Sequence, residues 1–237
     1  MRRTVVLHYH LFKNAGTSVD QMLQDFLGSA WVTAEFAMGG MNNTDAVTQW
    51  IADNPEARAF SSHTLAGPLP KIPDCEIIPV MLLRDPFKRI ASAYSFERKQ
   101  QISNWGADLA KEHDFEGYVR ARLDVPQDRQ CRNFQTSRLA ALMPGTAPEL
   151  DRACEALTML HDIGVIGRVE RFDAFTKALT DRLADSFTGF APETVRANTT
   201  ARRNTSVDLD LAALLAQANT DDIALLDYAD RLLGKHA

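Results

Sequence analysis

An α/β fold with a mainly parallel central sheet flanked by helices is what this 237-residue sequence predicts. Three observations lead there. β-rich and helix-patterned segments alternate along the chain. Glu76–Leu83 (EIIPVMLL) is almost continuously apolar, as a strand covered on both faces would be. Ile163–Gly167 (IGVIG) has the same buried character further on. No Gly/Ser/Pro-rich linker interrupts the sequence, so 1–237 is expected to form one domain.

Thr4–Phe12 is the first expected strand, running into the short loop Lys13-Asn14-Ala15-Gly16. Val19, Met22, Leu23, Phe26 and Leu27 then recur at helical spacing, and Gly28 is the expected stop. Asn43-Thr44-Asp45 suits the cap of a helix to Ala52, and Arg58–Ser62 a short strand leading to His63. After the apolar strand, Asp85-Pro86 should open a long helix, with Pro at its favoured first position and Phe87, Ile90, Ala91 and Tyr94 as the apolar stripe. Helical patterns follow at Phe115–Arg122, Arg132–Met143, Pro148–Leu160 and Glu170–Leu183. Phe187–Ser206 is polar and irregular, and two amphipathic helices, Leu209–Gln217 and Asp221–Leu233, finish the chain.

Composition narrows the function. With 45% hydrophobic and 24% charged residues the chain is ordinary globular material, and its net charge of −5 offers nothing to nucleic acid or an anionic membrane. Any polyanion site must be a local basic pocket. No stretch reaches membrane-spanning length, and MRRTVVLHYHLFKNAG is too short and polar for a signal peptide. Cys75, Cys131 and Cys154 form no CxxC pair, which points to free thiols in a reducing compartment and hence a cytoplasmic protein.

Ligands of parallel sheets sit at the carboxyl ends of the strands, which directs attention to the loops after Phe12, Ser62 and Leu83. In the first, Gly16 lets the backbone turn tightly, the opening helix offers free N–H groups, Thr17 and Ser18 add hydroxyls, and Lys13 adds a flexible charge. This is not a Walker A loop, whose Lys follows the second Gly. In the second, Arg84 should emerge at the same sheet edge, while Arg89 and Ser92, three apart on the helix, share a face suited to a phosphate. Taken singly, each segment also suits an ordinary capped helix with solvated basic residues.

Together they resemble the 5′-phosphosulfate loop and 3′-phosphate motif of sulfotransferases that use 3′-phosphoadenosine 5′-phosphosulfate (PAPS), most closely the carbohydrate, heparan 2-O-sulfotransferase-like family and its bacterial relatives. His10–Ser18 is similar to that family's His-Ile-Pro-Lys-Thr-x-Gly-Thr-Ser, with Phe12 in place of Pro and Asn14 in place of Thr. Arg84, Asp85, Pro86, Arg89, Ser92 and Tyr94 match its Arg-Asp-Pro-x-x-Arg-x-x-Ser-x-Tyr. Asn133-Phe134-Gln135-Thr136 resembles its Asn-x-Gln-Thr segment, followed by Ser137 where Arg is common, and Asn219, Asp222, Leu225, Tyr228 and Ala229 resemble its terminal helix.

The resemblance implies a P-loop nucleotide-kinase-like architecture and transfer of a sulfuryl group to an acceptor hydroxyl, of a glycan or other small polar molecule, without a metal. Lys13, Asn14, Ala15, Gly16, Thr17 and Ser18 would hold the phosphosulfate, Arg84 and Ser92 the 3′-phosphate, and Lys13 and His63 would be catalytic. Arg202 and Arg203 would belong to a lid over the cofactor, or to a merely exposed basic loop. Glu97-Arg98-Lys99 is expected as a solvated helix face, or as the border of an anionic acceptor site. His8 and His10 share a strand face, and with no carboxylate or Cys at a local supporting spacing they are expected as a packed or hydrogen-bonded pair rather than a metal site. The rivals are a kinase-like phosphotransferase and a non-catalytic sensor of PAPS or its desulfated product.

Overall fold

The computed structural model describes residues 2–37, 42–192 and 208–234. Five parallel strands lie in the order β2-β3-β1-β4-β5. They are β1 (Arg3–Tyr9), β2 (Trp31–Thr33), β3 (Ala59–Ser62), β4 (Cys75–Leu83) and β5 (Val165–Arg168). From the central β1 the chain builds β2 and β3 on one side, then crosses to β4 and β5 on the other. The order therefore reverses between β1 and β4, where such sheets open a crevice at their carboxyl ends.

Alternation along β4 makes the layers. Ile78, Val80 and Leu82 face Val6 of β1, helix α1 (Gly16–Leu27) and helix α8 (Phe172–Leu183). Ile77, Met81 and Leu83 face the opposite layer with Val5, Leu7 and Tyr9. That layer holds α2 (Thr44–Asp53), α6 (Phe134–Ala140), α7 (Glu149–Ile163) and α10 (Thr220–Gly234). Burial on both faces is why β4 reads as an apolar run. A third cluster packs α3 (Pro86–Glu97), α4 (Trp105–Glu112), α5 (Phe115–Leu123) and α9 (Leu209–Ala218) around Ile90, Tyr94, Tyr118 and Leu215.

The local signals hold where chemistry is local. Gly28 ends α1 with φ 56°, and Asp85 caps α3 by accepting from Lys88 N at 2.9 Å behind Pro86. Other expectations are corrected. Asn43 precedes α2 but does not cap it; its side chain links Thr64 O and Ala66 N instead. The buried face of α3 is Pro86, Arg89, Ile90, Ala93, Tyr94 and Glu97, so Glu97 is not a solvated charge. It is buried against Arg122 at 2.7 Å, and Arg122 reaches Asp128 at 2.6 Å. Arg89 is fully buried too, its guanidinium held by Gln130 and 4.2 Å from the Phe134 ring centroid. Strand β2 and helix α4 have no counterpart among the expected elements. No helix among the described residues is long and apolar enough to cross a membrane.

Candidate functional site

One buried glutamine locks the carboxyl ends of β1 and β4 together. Gln135 Oε1 accepts from Asn14 Nδ2 and from Arg84 N, each at 2.8 Å, while its Nε2 donates to Arg84 O at 2.8 Å. Asn14 also donates to Leu82 O at 2.8 Å. Asn14, expected to touch the cofactor, is thus turned inward and only 1% exposed, and its side chain ties loop to strand. Asp222, fully buried, sets Gln135 by accepting from Gln135 N at 3.2 Å, Thr136 N at 2.7 Å and Thr136 Oγ1 at 2.8 Å. Asn133 binds α10 in the same way, its Oδ1 accepting from Asp221 N at 3.1 Å and Asp222 N at 3.2 Å. The Asn133–Thr136 segment and the terminal helix are one network.

The clamp brings cations together. Arg84 Nη1 donates to Lys13 O at 2.8 Å. Lys13 has φ 65° and Ala15 φ 59°, left-handed conformations that cost a non-glycine residue ~1–2 kcal/mol each. Left-handed Ala15 followed by helical Gly16 turns successive N–H groups to one side, the geometry of an anion cradle. The Lys13 ammonium lies 4.4 Å from the Phe96 ring centroid, with no carboxylate partner among the described residues. Burial, then the charges of Arg84 and Lys99, push its pKa below the ordinary lysine value. Thr17 is exposed beside this cradle and Ser18 is buried beneath it. Ser92 is half-buried on α3. Arg202 and Arg203 lie outside the described residues.

Gly16 has a second role. A Cβ there would sit 2.1 Å from His10 Cδ2, so the glycine is required by the ring packed on it. Gly16→Ala is expected to lower stability by about 1–3 kcal/mol through displacement of His10. Urea titration would measure it, and an unchanged midpoint would show that the ring can move freely.

His63 follows β3 and is exposed. Its ring centroid lies 3.8 Å from that of His10, and its Nδ1 lies 3.1 Å from the His10 carbonyl oxygen. A carbonyl only accepts, so Nδ1 carries the proton and Nε2 keeps the lone pair in the neutral ring. Glu35 accepts from His63 N at 3.2 Å and from Thr64 Oγ1 at 2.8 Å, and Arg138 donates to the carbonyls of His63 and Leu65. Desolvation of the ring, then the neighbouring His10, push the His63 pKa below the ordinary histidine value, against the opposite pull of Glu35. The ring is therefore neutral at pH 7, the form that accepts a proton.

Beneath it, Asp20 supplies the carboxylate that local spacing did not show. His8 Nδ1 lies 2.7 Å from Asp20 Oδ1, and His10 Nδ1 2.7 Å from Asp20 Oδ2. Val6 and His8 share the face of β1 that α1 covers, His10 follows just past the strand end, and Asp20 sits in the second turn of that helix. Burial alone would raise the Asp20 pKa, but the hydrogen bonds to His10 and His8 overcome it and hold the carboxylate well below its usual range. Each Nδ1 is thereby paired with one carboxylate oxygen, and the ligand atoms of His8, His10 and Asp20 lie within 4.8 Å of one another, so the carboxylate that a metal site would need stands beside the histidines. Sequence reasoning also missed Glu35 and Arg138; only the second had a signal, the Arg that often follows Asn-x-Gln-Thr, here displaced by one position.

The fold and site define an α/β protein with a cationic loop pair at the crevice of a parallel sheet and an imidazole cluster beside it. No family model matches the chain. An uncharacterized protein of Archaeoglobus fulgidus is 36% identical over 204 residues, 84% of this chain and 80% of that one, and the chain belongs to the same family as that protein.

Proposed function

We propose that the protein is a cytoplasmic sulfotransferase that moves the sulfuryl group of PAPS to an acceptor hydroxyl, of a carbohydrate or other small polar molecule. The observation behind this is the juxtaposition of Lys13, Arg84 and Lys99 at the crevice between β1 and β4. It leaves a lysine without a carboxylate partner among the described residues of an acidic chain. Mutual repulsion among cations is unfavourable until an anion arrives, which favours a polyanionic ligand there. The resemblance of these same loops to phosphosulfate and 3′-phosphate motifs selects PAPS among such ligands. The neutral His63 beside the crevice supports an enzyme over a sensor.

In this mechanism His63 Nε2 takes the acceptor hydroxyl's proton while the acceptor oxygen bonds to sulfur. The bond from sulfur to the bridging oxygen of the 5′-phosphate breaks, and adenosine 3′,5′-bisphosphate leaves with the electron pair. Lys13 and the N–H groups at Gly16 and Thr17 stabilise the charge gathering on that oxygen. Arg84 and Ser92 bind the 3′-phosphate and set the register.

Calorimetry with adenosine 3′,5′-bisphosphate, ATP and GTP tests the ligand. Selective micromolar binding of the bisphosphate is expected, and preference for ATP would support a kinase-like protein instead. Arg84→Ala should weaken the bisphosphate by about 10- to 150-fold, the worth of a charge-assisted contact. It should weaken adenosine 5′-phosphate far less. Equal losses would show that Arg84 does not read the 3′-phosphate.

A further inference from the structure

We propose that Asp20 is the positioning residue of this site: it bridges His8 and His10 and so fixes His10 as the platform on which His63 is held. The inference deepens the sulfotransferase reading and rests on it for the identity of the chemistry. Both oxygens of one carboxylate are used, on two imidazoles two residues apart at the end of β1. Asp20 Oδ1 and Oδ2 each meet an Nδ1 at 2.7 Å, and His8 Nδ1 is also 3.0 Å from Ser61 Oγ on the neighbouring β3. An ionised carboxylate only accepts, so both rings carry their proton on Nδ1.

His10 cannot rotate away. Asp20 holds one edge of its ring, and Gly16 packs so closely against Cδ2 and Nε2 that a methyl group would not fit. The rings of His8 and His10 are stacked at 5.2 Å, and that of His63 lies against His10 at 3.8 Å. The backbone oxygen of the same His10 receives His63 Nδ1. Glu35 and Arg138 hold the His63 backbone, while both contacts of its ring run to one residue, His10, whose side chain Asp20 immobilises. The charged and titratable neighbours of His63 are His10 just past β1, Asp20 on α1, Glu35 after β2 and Arg138 on α6. Of these, Asp20 makes its hydrogen bonds to His8 and His10 and acts on His63 itself only electrostatically. An outer partner of this kind acts on rate through alignment, where a small displacement of a reacting group costs up to about 100-fold.

The test uses Asp20→Asn and Asp20→Glu in the full chain. Nitrogen-15 NMR of the histidine rings should show His8 and His10 both protonated on Nδ1 in the wild type. The Asn side chain offers one acceptor and one donor, so one of the two rings must move its proton to Nε2, and the His63 ring signals should shift with it. Single-turnover transfer should fall about 10- to 100-fold in Asp20→Asn while affinity for adenosine 3′,5′-bisphosphate stays within about twofold. Asp20→Glu, which keeps two acceptors, should recover part of the rate. Unchanged His63 signals would overturn the proposal, as would a parallel loss of nucleotide affinity and rate. An Nε2-protonated His10 in the wild type would overturn it without any variant, should Asp20→Asn fail to fold. A wild type without transferase activity would remove the sulfotransferase reading, and the ring measurements would still decide whether Asp20 holds His63.

Discussion

His63→Ala should reduce transfer by about 100- to 10,000-fold and leave binding of adenosine 3′,5′-bisphosphate near the wild-type value. That range corresponds to about 3–5.5 kcal/mol of barrier. Binding survives because the phosphates are assigned to the clamped loops after β1 and β4, and His63 hangs from the end of β3. The pH dependence follows from the neutral form being active. The rate rises as pH climbs through the His63 pKa, and desolvation and His10 place that pKa below the ordinary histidine value of about 6.5. Activity should therefore already be level at neutral pH and fall only on the acid side. A pH–rate profile beside single-turnover rates of the variant measures both. Full activity in His63→Ala would redirect the search to Glu35, the exposed carboxylate that accepts from His63 N at 3.2 Å.

Asp222→Ala should cost about 3–5 kcal/mol of folding stability, a large share of the 5–15 kcal/mol typical of a domain. It would orphan the backbone N–H groups of Gln135 and Thr136 and the Thr136 hydroxyl in a fully buried place. Arg89 adds to the loss. Its buried guanidinium makes its hydrogen bonds to Gln130, and Asp222 is the foremost charge favouring its protonated form. Asp222→Asn keeps an acceptor of nearly the same shape and should lose less. Because Gln135 would lose its anchor, nucleotide affinity should fall with stability, through Asn14 and Arg84. Guanidinium unfolding of both variants checks the ledger, and an Asp222→Ala protein within about 1 kcal/mol of wild type would contradict it.

By itself the sequence determined the α/β class, the alternation of strands and helices, and the three loops at which a ligand would be met. These are local matters. Two-residue and 3.6-residue periodicities, an Asp-Pro helix start and a Gly stop depend on neighbours in the chain, so Gly28, Asp85 and the β4 run were legible directly. Even so, β2 is a three-residue strand too short to show a period, and α4 includes Gly106 within its eight residues. Tertiary structure alone decided which polar groups turn inward. Arg89 and Glu97 share a helix face with Ile90 and Tyr94, and nothing in their spacing says that Gln130 and Arg122 will meet them. Asn14 looks like a loop residue open to ligand until Gln135 arrives from far along the chain, and Gln135 until Asp222 does. Asp20 pairs with His8 and His10 only because α1 lies back across β1. A buried polar side chain is stable only with its partner, and the fold, not the local sequence, brings that partner into reach.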